Sequence, residues 1–228
     1  MKAAVLLFLE HPLALDAAGE PDPLALALVR DTLRTLDDVE ADTFVFLPPD
    51  GDKARARELL GPGKHKIANA LGRDLPAQQR NAFRLVYLRG YDRALLLANA
   101  APDLPGHVVQ SALDGLNYKC VCIGPIPAAP EGQGEDAAGG APDLVYALGF
   151  DAEGFTTDAF TYVDQNRSGY FNRLETLLLF LERKVRILQE YSPVTGLHEA
   201  ARLAARCAGT RFALLPSVRL ATERAQAS

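Results

Sequence analysis

Arg93 to Asn99 (RALLLAN) and Lys119 to Gly124 (KCVCIG) are two short apolar runs. Runs of this length, apolar on both faces and closed by polar or turn residues, mark buried strands. Leu104-Pro105-Gly106 turns the chain after the first run, and Val109, Leu113 and Leu116 then share one helical face, the stripe of an amphipathic helix. Strand, helix and strand within roughly thirty residues make a βαβ unit, whose strands run parallel.

The same alternation extends in both directions. Upstream, Lys2 to Leu9 reads as a first strand, with Ala3–Phe8 at its core, stopped by Glu10, His11 and Pro12. Pro23 opens a helix, since proline suits a first turn, and Leu26, Val29, Leu33 and Leu36 line one face of it. Ala41 to Leu47 (ADTFVFL) is a second strand ended by Pro48-Pro49-Asp50-Gly51, which is turn chemistry. Lys53 to Leu60 forms a short helix ended by Gly61, and Pro76 to Arg89 a longer one capped by Gly90. Downstream, Leu144 to Gly149 resumes as a strand and Thr161 to Val163 reads as a short one. Ser168 to Lys184 has the strongest helical stripe of the chain, through Phe171, Leu174, Leu178, Leu181 and Val185. Val185 to Leu188 and Tyr191 end the sheet, Leu197 to Cys207 is a last helix, and the chain from Thr222 reads as a frayed polar tail. Between the strands, residues 127–142 (PAAPEGQGEDAAGGAP) have almost nothing to bury and read as a flexible loop. The expected organisation is one domain over residues 1–221, followed by the tail 222–228.

Bulk properties narrow the function. A chain of 228 residues with 48% hydrophobic and 23% charged residues can bury one large α/β core. The net charge of -5 and the lack of long Lys/Arg runs exclude nucleic acid and anionic membrane as expected partners. No window approaches the ~18 apolar residues of a transmembrane span. The Ala3–Leu9 run is short for a signal peptide and is broken by Glu10-His11-Pro12, so no leader is expected. Three cysteines, with Cys120 and Cys122 inside one strand, give no disulfide framework and fit a reducing, cytoplasmic setting. They read as buried small hydrophobes. Cys120-x-Cys122 lacks the second ligand pair of a zinc site. Gly61-Pro62-Gly63-Lys64 has one residue between its glycines and His65 after the lysine. A phosphate loop needs four residues there and then Ser or Thr, so this is a helix stop and turn.

The segments, in order, resemble the bacterial glycosyltransferase-A-like family known as "transferase 1, radical-SAM/selenodomain associated". Leu26 to Leu33 (LALVRDTL) is similar to the family's first helix. Gly72-Arg73-Asp74-Leu75 followed by Gln79-Arg80-Asn81-Ala82-Phe83 resembles its Gly-Asp-Leu-Gly-x-Arg-x-x-x-Ala-Phe segment. Leu95 to Leu104 (LLLANAAPDL), the next helix and Ile123-Gly124-Pro125 resemble Leu-Ile-Gly-Ser-Asp-x-Pro-Asp-Leu, helix, Leu-Gly-Pro. Val185 to Tyr191 (VRILQEY) with Thr195 is similar to the family's closing Val-x-Leu-Leu-Pro-x-Tyr-Asp-Val-Asp-Thr. The resemblance covers nearly the whole chain. It implies a Rossmann-like three-layer α/β/α fold of the nucleotide-diphosphosugar transferase (glycosyltransferase-A) type, with a mainly parallel sheet. It also implies a nucleotide or nucleotide-sugar ligand.

The departures fall on the family's functional elements. Asn99-Ala100 stands where the family has Ser-Asp, and alanine cannot ligate a cation. Pro142 to Tyr146 lacks the paired glycines of the Asp-Gly-Gly-Tyr-Tyr loop, and Ser192-Pro193-Val194 replaces Asp-Val-Asp. The early Pro-x-x-Gly-x-x-Lys-Thr-Arg-Leu loop keeps only Pro12. No metal and no other cofactor is therefore expected unless a carboxylate has relocated, and no catalytic residue can be assigned.

Four residues remain as candidate ligand contacts. Asp103 lies just past a strand end, where open α/β sheets place ligands, although helix capping or a turn is the plainer role for an Asp there. Asn99 could bond a ribose or base, or cap the turn. Glu10 leaves the first strand at the same sheet edge and is the candidate replacement carboxylate, with a solvated loop acid as the alternative. Asp164, with Asn166 and Arg167, precedes the strong helix, where capping by Asn166 or Ser168 is the plainer reading. Two functions follow: a glycosyl or nucleotidyl transferase with a relocated or absent metal, or an inactive homologue kept as a binding or accessory protein.

Overall fold

The computed structural model describes residues 1–8, 22–127, 144–194 and 199–227. Glu10 and nearly all of the 127–142 segment fall outside them. The sheet contains β1 (Ala3–Phe8), β2 (Asp42–Leu47), β3 (Lys66–Asn69), β4 (Arg93–Ala98), β5 (Cys120–Pro125), β6 (Val145–Asp151) and β7 (Lys184–Ile187). Their spatial order is β3-β2-β1-β4-β6-β5-β7. Every pairing is parallel except those of β6, which runs antiparallel to β4 and β5. A parallel return from β5 would need a crossover packed on the sheet, usually a helix. The Ala/Gly/Pro-rich sequence before β6 has no apolar stripe to pack.

Helices lie on both faces, because successive strand residues point to opposite sides. Leu6 sits between Phe44 of β2 and Leu96 of β4. These three join Phe83, Phe150 and Leu174 in one core, beneath α3 (Leu75–Leu88) and α6 (Tyr170–Phe180). Val5, Leu7, Val45, Leu95 and Leu97 point the other way and pack with Leu33, Leu36, Leu113 and Leu116. Those partners come from α1 (Pro23–Asp37), α4 (Gly106–Asp114) and the turn after it. Full burial of each such side chain contributes about 1.5–3 kcal/mol, so the two layers dominate the stability. A short helix, α2 (Lys53–Leu60), starts on Asp52, whose carboxylate accepts the N–H groups of Ala54 and Arg55.

Three sequence expectations are corrected. Thr161–Val163 is not a strand: α5 (Asp158–Thr161) ends there, followed by a turn. The β-propensity of Thr-Tyr-Val yields to packing, since Ala159, Phe160 and Val163 reach the core at helical spacing. The strong helix begins after Gly169 and stops at Phe180. Glu182 at φ 57 then reverses the chain into β7, so Lys184 is a strand residue. The residues from Thr222 are not frayed but form the second half of α8 (Pro216–Ala227). Val218 and Ala221 bury on α8, a stripe too small to stand out in sequence.

A third core lies at the carboxyl end of the sheet. It joins Leu24 and Leu28 of α1, Ala100 and Val194, Ala200, Leu203 and Cys207 of α7 (Ala200–Cys207), and Val218 and Ala221 of α8. Polar contacts fasten it. The buried Asp31 carboxylate on α1 accepts the Ser217 N–H at 2.8 Å, which satisfies a buried donor in the first turn of α8. Asp22 caps α1 through Leu24 and Ala25 and holds Arg224 of α8 at 2.8 Å.

Candidate ligand-binding site

A cleft of about 380 Å³ opens where β1 and β4 end and β6 begins. In α/β sheets, ligands bind at the carboxyl ends of the strands. Phe8 and Ala98 come from β1 and β4, and Val145 and Leu148 from the antiparallel β6. Their apolar floor is ringed by Asn99, Gln79, Gln165, Asn166 and Tyr170. None of the fourteen described residues lining the cleft carries a charge.

Each polar group is positioned by its backbone. Asn99 closes β4 in the left-handed region, φ 67, with its N–H donated to Phe8 O at 2.8 Å. Asparagine tolerates that conformation better than most residues. Gln79 lies on the inner face of α3, 5% exposed, and accepts a hydrogen bond from Gln165 Nε2 at 2.8 Å. Burial pushes the Tyr170 hydroxyl pKa up, partly offset by a hydrogen bond with Gln165. The phenol therefore stays neutral and can donate or accept.

The four sequence candidates separate. Asn99 lines the cleft. Asp103 does not: its side chain, 9% exposed, is clamped by Arg206 of α7 through Nε at 2.6 Å and Nη2 at 2.8 Å. The Tyr191 hydroxyl donates to it at 2.7 Å. Nor does Asp103 cap α4, whose N-cap is Pro105 with no side-chain bond. Burial opposes ionisation of Asp103, but hydrogen bonding and charge from Arg206, with Tyr191, hold its pKa below the ordinary value. Asp164 is half-exposed and lies outside the lining. Its carboxylate accepts the Asn166 N–H at 2.9 Å and faces Arg167 at 3.3 Å, shaping the turn that presents Gln165 and Asn166. Glu10 lies outside the described residues.

Gln79, Gln165 and Tyr170 were not among the sequence candidates. Gln79 did leave a signal. Residues 79, 82, 83 and 86 form the buried stripe of α3, and a carboxamide among apolar residues on such a stripe needs a partner. Gln165 and Tyr170 leave none, because their placement depends on how α6 docks.

At Ala100 the residues do not fit a divalent cation. Its methyl, 6% exposed, packs in the third core. Its carbonyl accepts the Val194 N–H at 3.1 Å in a single antiparallel bridge. Among the described residues, no three His, Cys, Asp or Glu converge as a metal site would require.

The fold is that of the nucleotide-diphosphosugar transferases and nucleotidyltransferases. A crystal structure from Desulfovibrio desulfuricans G20, assigned as a nucleotide-diphospho-sugar transferase, superposes with a TM-score of 0.80. It is 23% identical, over 99% of this chain and 96% of that one. The 4-diphosphocytidyl-2C-methyl-D-erythritol synthase of Anaerococcus prevotii DSM 20548 superposes at 0.61 with 12% identity, over 99% and 96% of the two chains. The 2-C-methyl-D-erythritol 4-phosphate cytidylyltransferase of Thermus thermophilus does so at 0.52 with 20% identity, over 84% and 90%. No protein-family model matches the sequence, and no curated protein does. Among the described residues, no helix is long and apolar enough to cross a membrane.

Proposed function

We propose that this chain is a binding protein built on the transferase fold, a relative of the selenodomain-associated transferase group whose metal-dependent transfer has been lost. Its ligand belongs to the nucleotide and nucleotide-sugar class, held by the base-and-sugar portion. The reading rests on the divergence of two adjacent residues. Asn99 lines the cleft, while Ala100, where a metal-binding carboxylate would stand, is packed into an apolar core. A carboxylate there would neutralise a diphosphate through its cation; a methyl group supplies nothing to that chemistry. Three buried free cysteines fit a cytoplasmic location.

Calorimetry and thermal shift with UDP-, GDP- and CDP-sugars, with and without Mn²⁺, test this. The expected result is binding of at least one ligand that is indifferent to Mn²⁺, with no donor cleavage. At about 100 times its dissociation constant, a ligand adds about 2.7 kcal/mol of stability, a readable melting shift. Mn²⁺-dependent cleavage of a donor would overturn the proposal and direct attention to Glu10 as the relocated carboxylate.

A further inference from the structure

The outer side of α6 carries apolar groups where a solvent-facing helix is ordinarily polar. Its inner stripe, with Phe171, Leu174 and Leu178, is buried in the core. Phe180, in its last turn, is nevertheless 82% exposed, and Tyr162, just after α5, is 74% exposed. Both border one groove of about 460 Å³, together with Arg173, Thr176 and Leu177. Leu179 is exposed next to Phe180. Large apolar side chains scattered singly need no explanation, but a group of them marks an interaction surface. The described residues lining this groove are distinct from those lining the cleft.

The spacing on this face points to what covers it. Arg173 and Phe180 are seven residues apart, so they share one side of α6, about 10 Å apart along its axis. The Arg173 guanidinium donates to the carbonyls of Arg167 at 2.8 Å, Asp164 at 3.0 Å and Ser168. These bonds occupy its N–H edge and fix its plane, while the residue stays exposed. A planar cation held by its edge still offers a face for stacking. Lay a second α6 antiparallel across the first, with a two-fold axis between Thr176 and Leu177. Each Arg173 then lies against Phe180 of the other copy, a cation over the negative face of an aromatic ring. The axis repeats the contact, as an isologous interface must. Thr176, small and exposed, lets the helices approach closely at the axis. Aromatic side chains bury about 150–250 Å² each. Two from each copy, with Leu179 and Arg173 around them, therefore approach the roughly 1,000 Å² of a specific interface. We propose that this face of α6 is a homodimer interface, held by reciprocal stacking of Arg173 on Phe180. A foreign partner would have to supply both groups at the same separation, whereas a second copy carries them by symmetry.

The test is sedimentation equilibrium on the full chain, where a dimer with a dissociation constant of about 1–100 µM is expected. Phe180→Lys sets two cations against each other across the interface and suits the carboxyl end of a helix. It should raise the dissociation constant at least about thirtyfold. Because Phe180 is exposed, the urea midpoint of the dilute monomer should not move. Thr176→Cys gives an independent readout. The three native cysteines are buried, so the new thiol at the axis should form an intermolecular disulfide on mild oxidation. Phe180→Lys should block that cross-link. Glu58→Cys, on α2 across the sheet and exposed, should not form one. A chain that stays monomeric at every concentration would overturn the proposal, since the face is then free or covered by something other than a second copy. A dimer indifferent to Phe180→Lys would overturn it too, as would cross-linking of Thr176→Cys no faster than that of Glu58→Cys.

Discussion

Asn99 and Ala100 are consecutive in the chain and belong to different regions of the molecule. On the side of Asn99, the carboxyl end of the sheet is an open cleft ringed by neutral amides. On the side of Ala100, it is closed by α7 and α8 over an apolar core. The charges are also unevenly shared. Among the described residues the cleft has none, whereas the closed side concentrates the Asp103–Arg206 and Asp22–Arg224 pairs and the Asp31 cap. Asp103, beside the strand end where a transferase would use a carboxylate, here fastens a helix. Polar chemistry at a sheet edge can thus be divided into a part that faces ligand and a part that holds structure, and one residue step along a strand is enough to cross between them.

The strongest test of that division is Ala100→Asp. If the two sides are separate, the new carboxylate is buried and unpaired, and stability should fall by about 3–5 kcal/mol, read as a lower urea midpoint. No Mn²⁺ site should appear by calorimetry. A variant of normal stability that binds Mn²⁺ stoichiometrically would show that Ala100 still belongs to the ligand side.

Removing the clamp should cost somewhat less. Arg206→Ala leaves the Asp103 carboxylate buried, with the Tyr191 hydroxyl still donating to it. A loss of about 2–3 kcal/mol is expected, reduced from the fully buried case because Arg206 is partly exposed. The same pair sets a pH dependence. Since the Asp103 pKa is lowered in the fold, the folded state binds fewer protons than the unfolded one near that pKa. Its stabilisation is complete above the ordinary Asp value of about 3.9. It disappears as pH falls through the lowered folded value. Arg206→Ala should therefore show a shallower loss of stability in acid. Equal slopes for wild type and variant would remove Asp103 from the structural side.

Asp164→Ala should have the smallest effect. Its ion pair with Arg167 is solvent-exposed, and such pairs are worth little. Stability should change by less than about 1 kcal/mol, with the loss coming from the turn at Asn166. Affinity for any cleft ligand should fall modestly, because that turn carries Gln165 and Asn166. A large destabilisation would mean that the cleft rim, like the opposite side, depends on charge.

These contrasts also mark how far the sequence could be read. β1 occupies Ala3–Phe8 and α2 Lys53–Leu60, as their local patterns require. The parallel pairing and the two helical layers follow from runs that are apolar on both faces and from stripes at helical spacing. β3, a four-residue edge strand, buries too little to leave such a pattern. Asn99 could be placed at the ligand edge because a strand end is a local feature. Asp103 could not be assigned its role, since its partner lies 103 residues away on α7 and no local spacing encodes that meeting. The direction of β6, the helical turn at Thr161 and the assembly of Gln79, Gln165 and Tyr170 around one cleft are of the same kind. Periodicity records which face of an element is buried, because burial acts residue by residue along one helix or strand. Which buried or polar face meets which is settled only when distant elements dock, and the tertiary structure alone decided that.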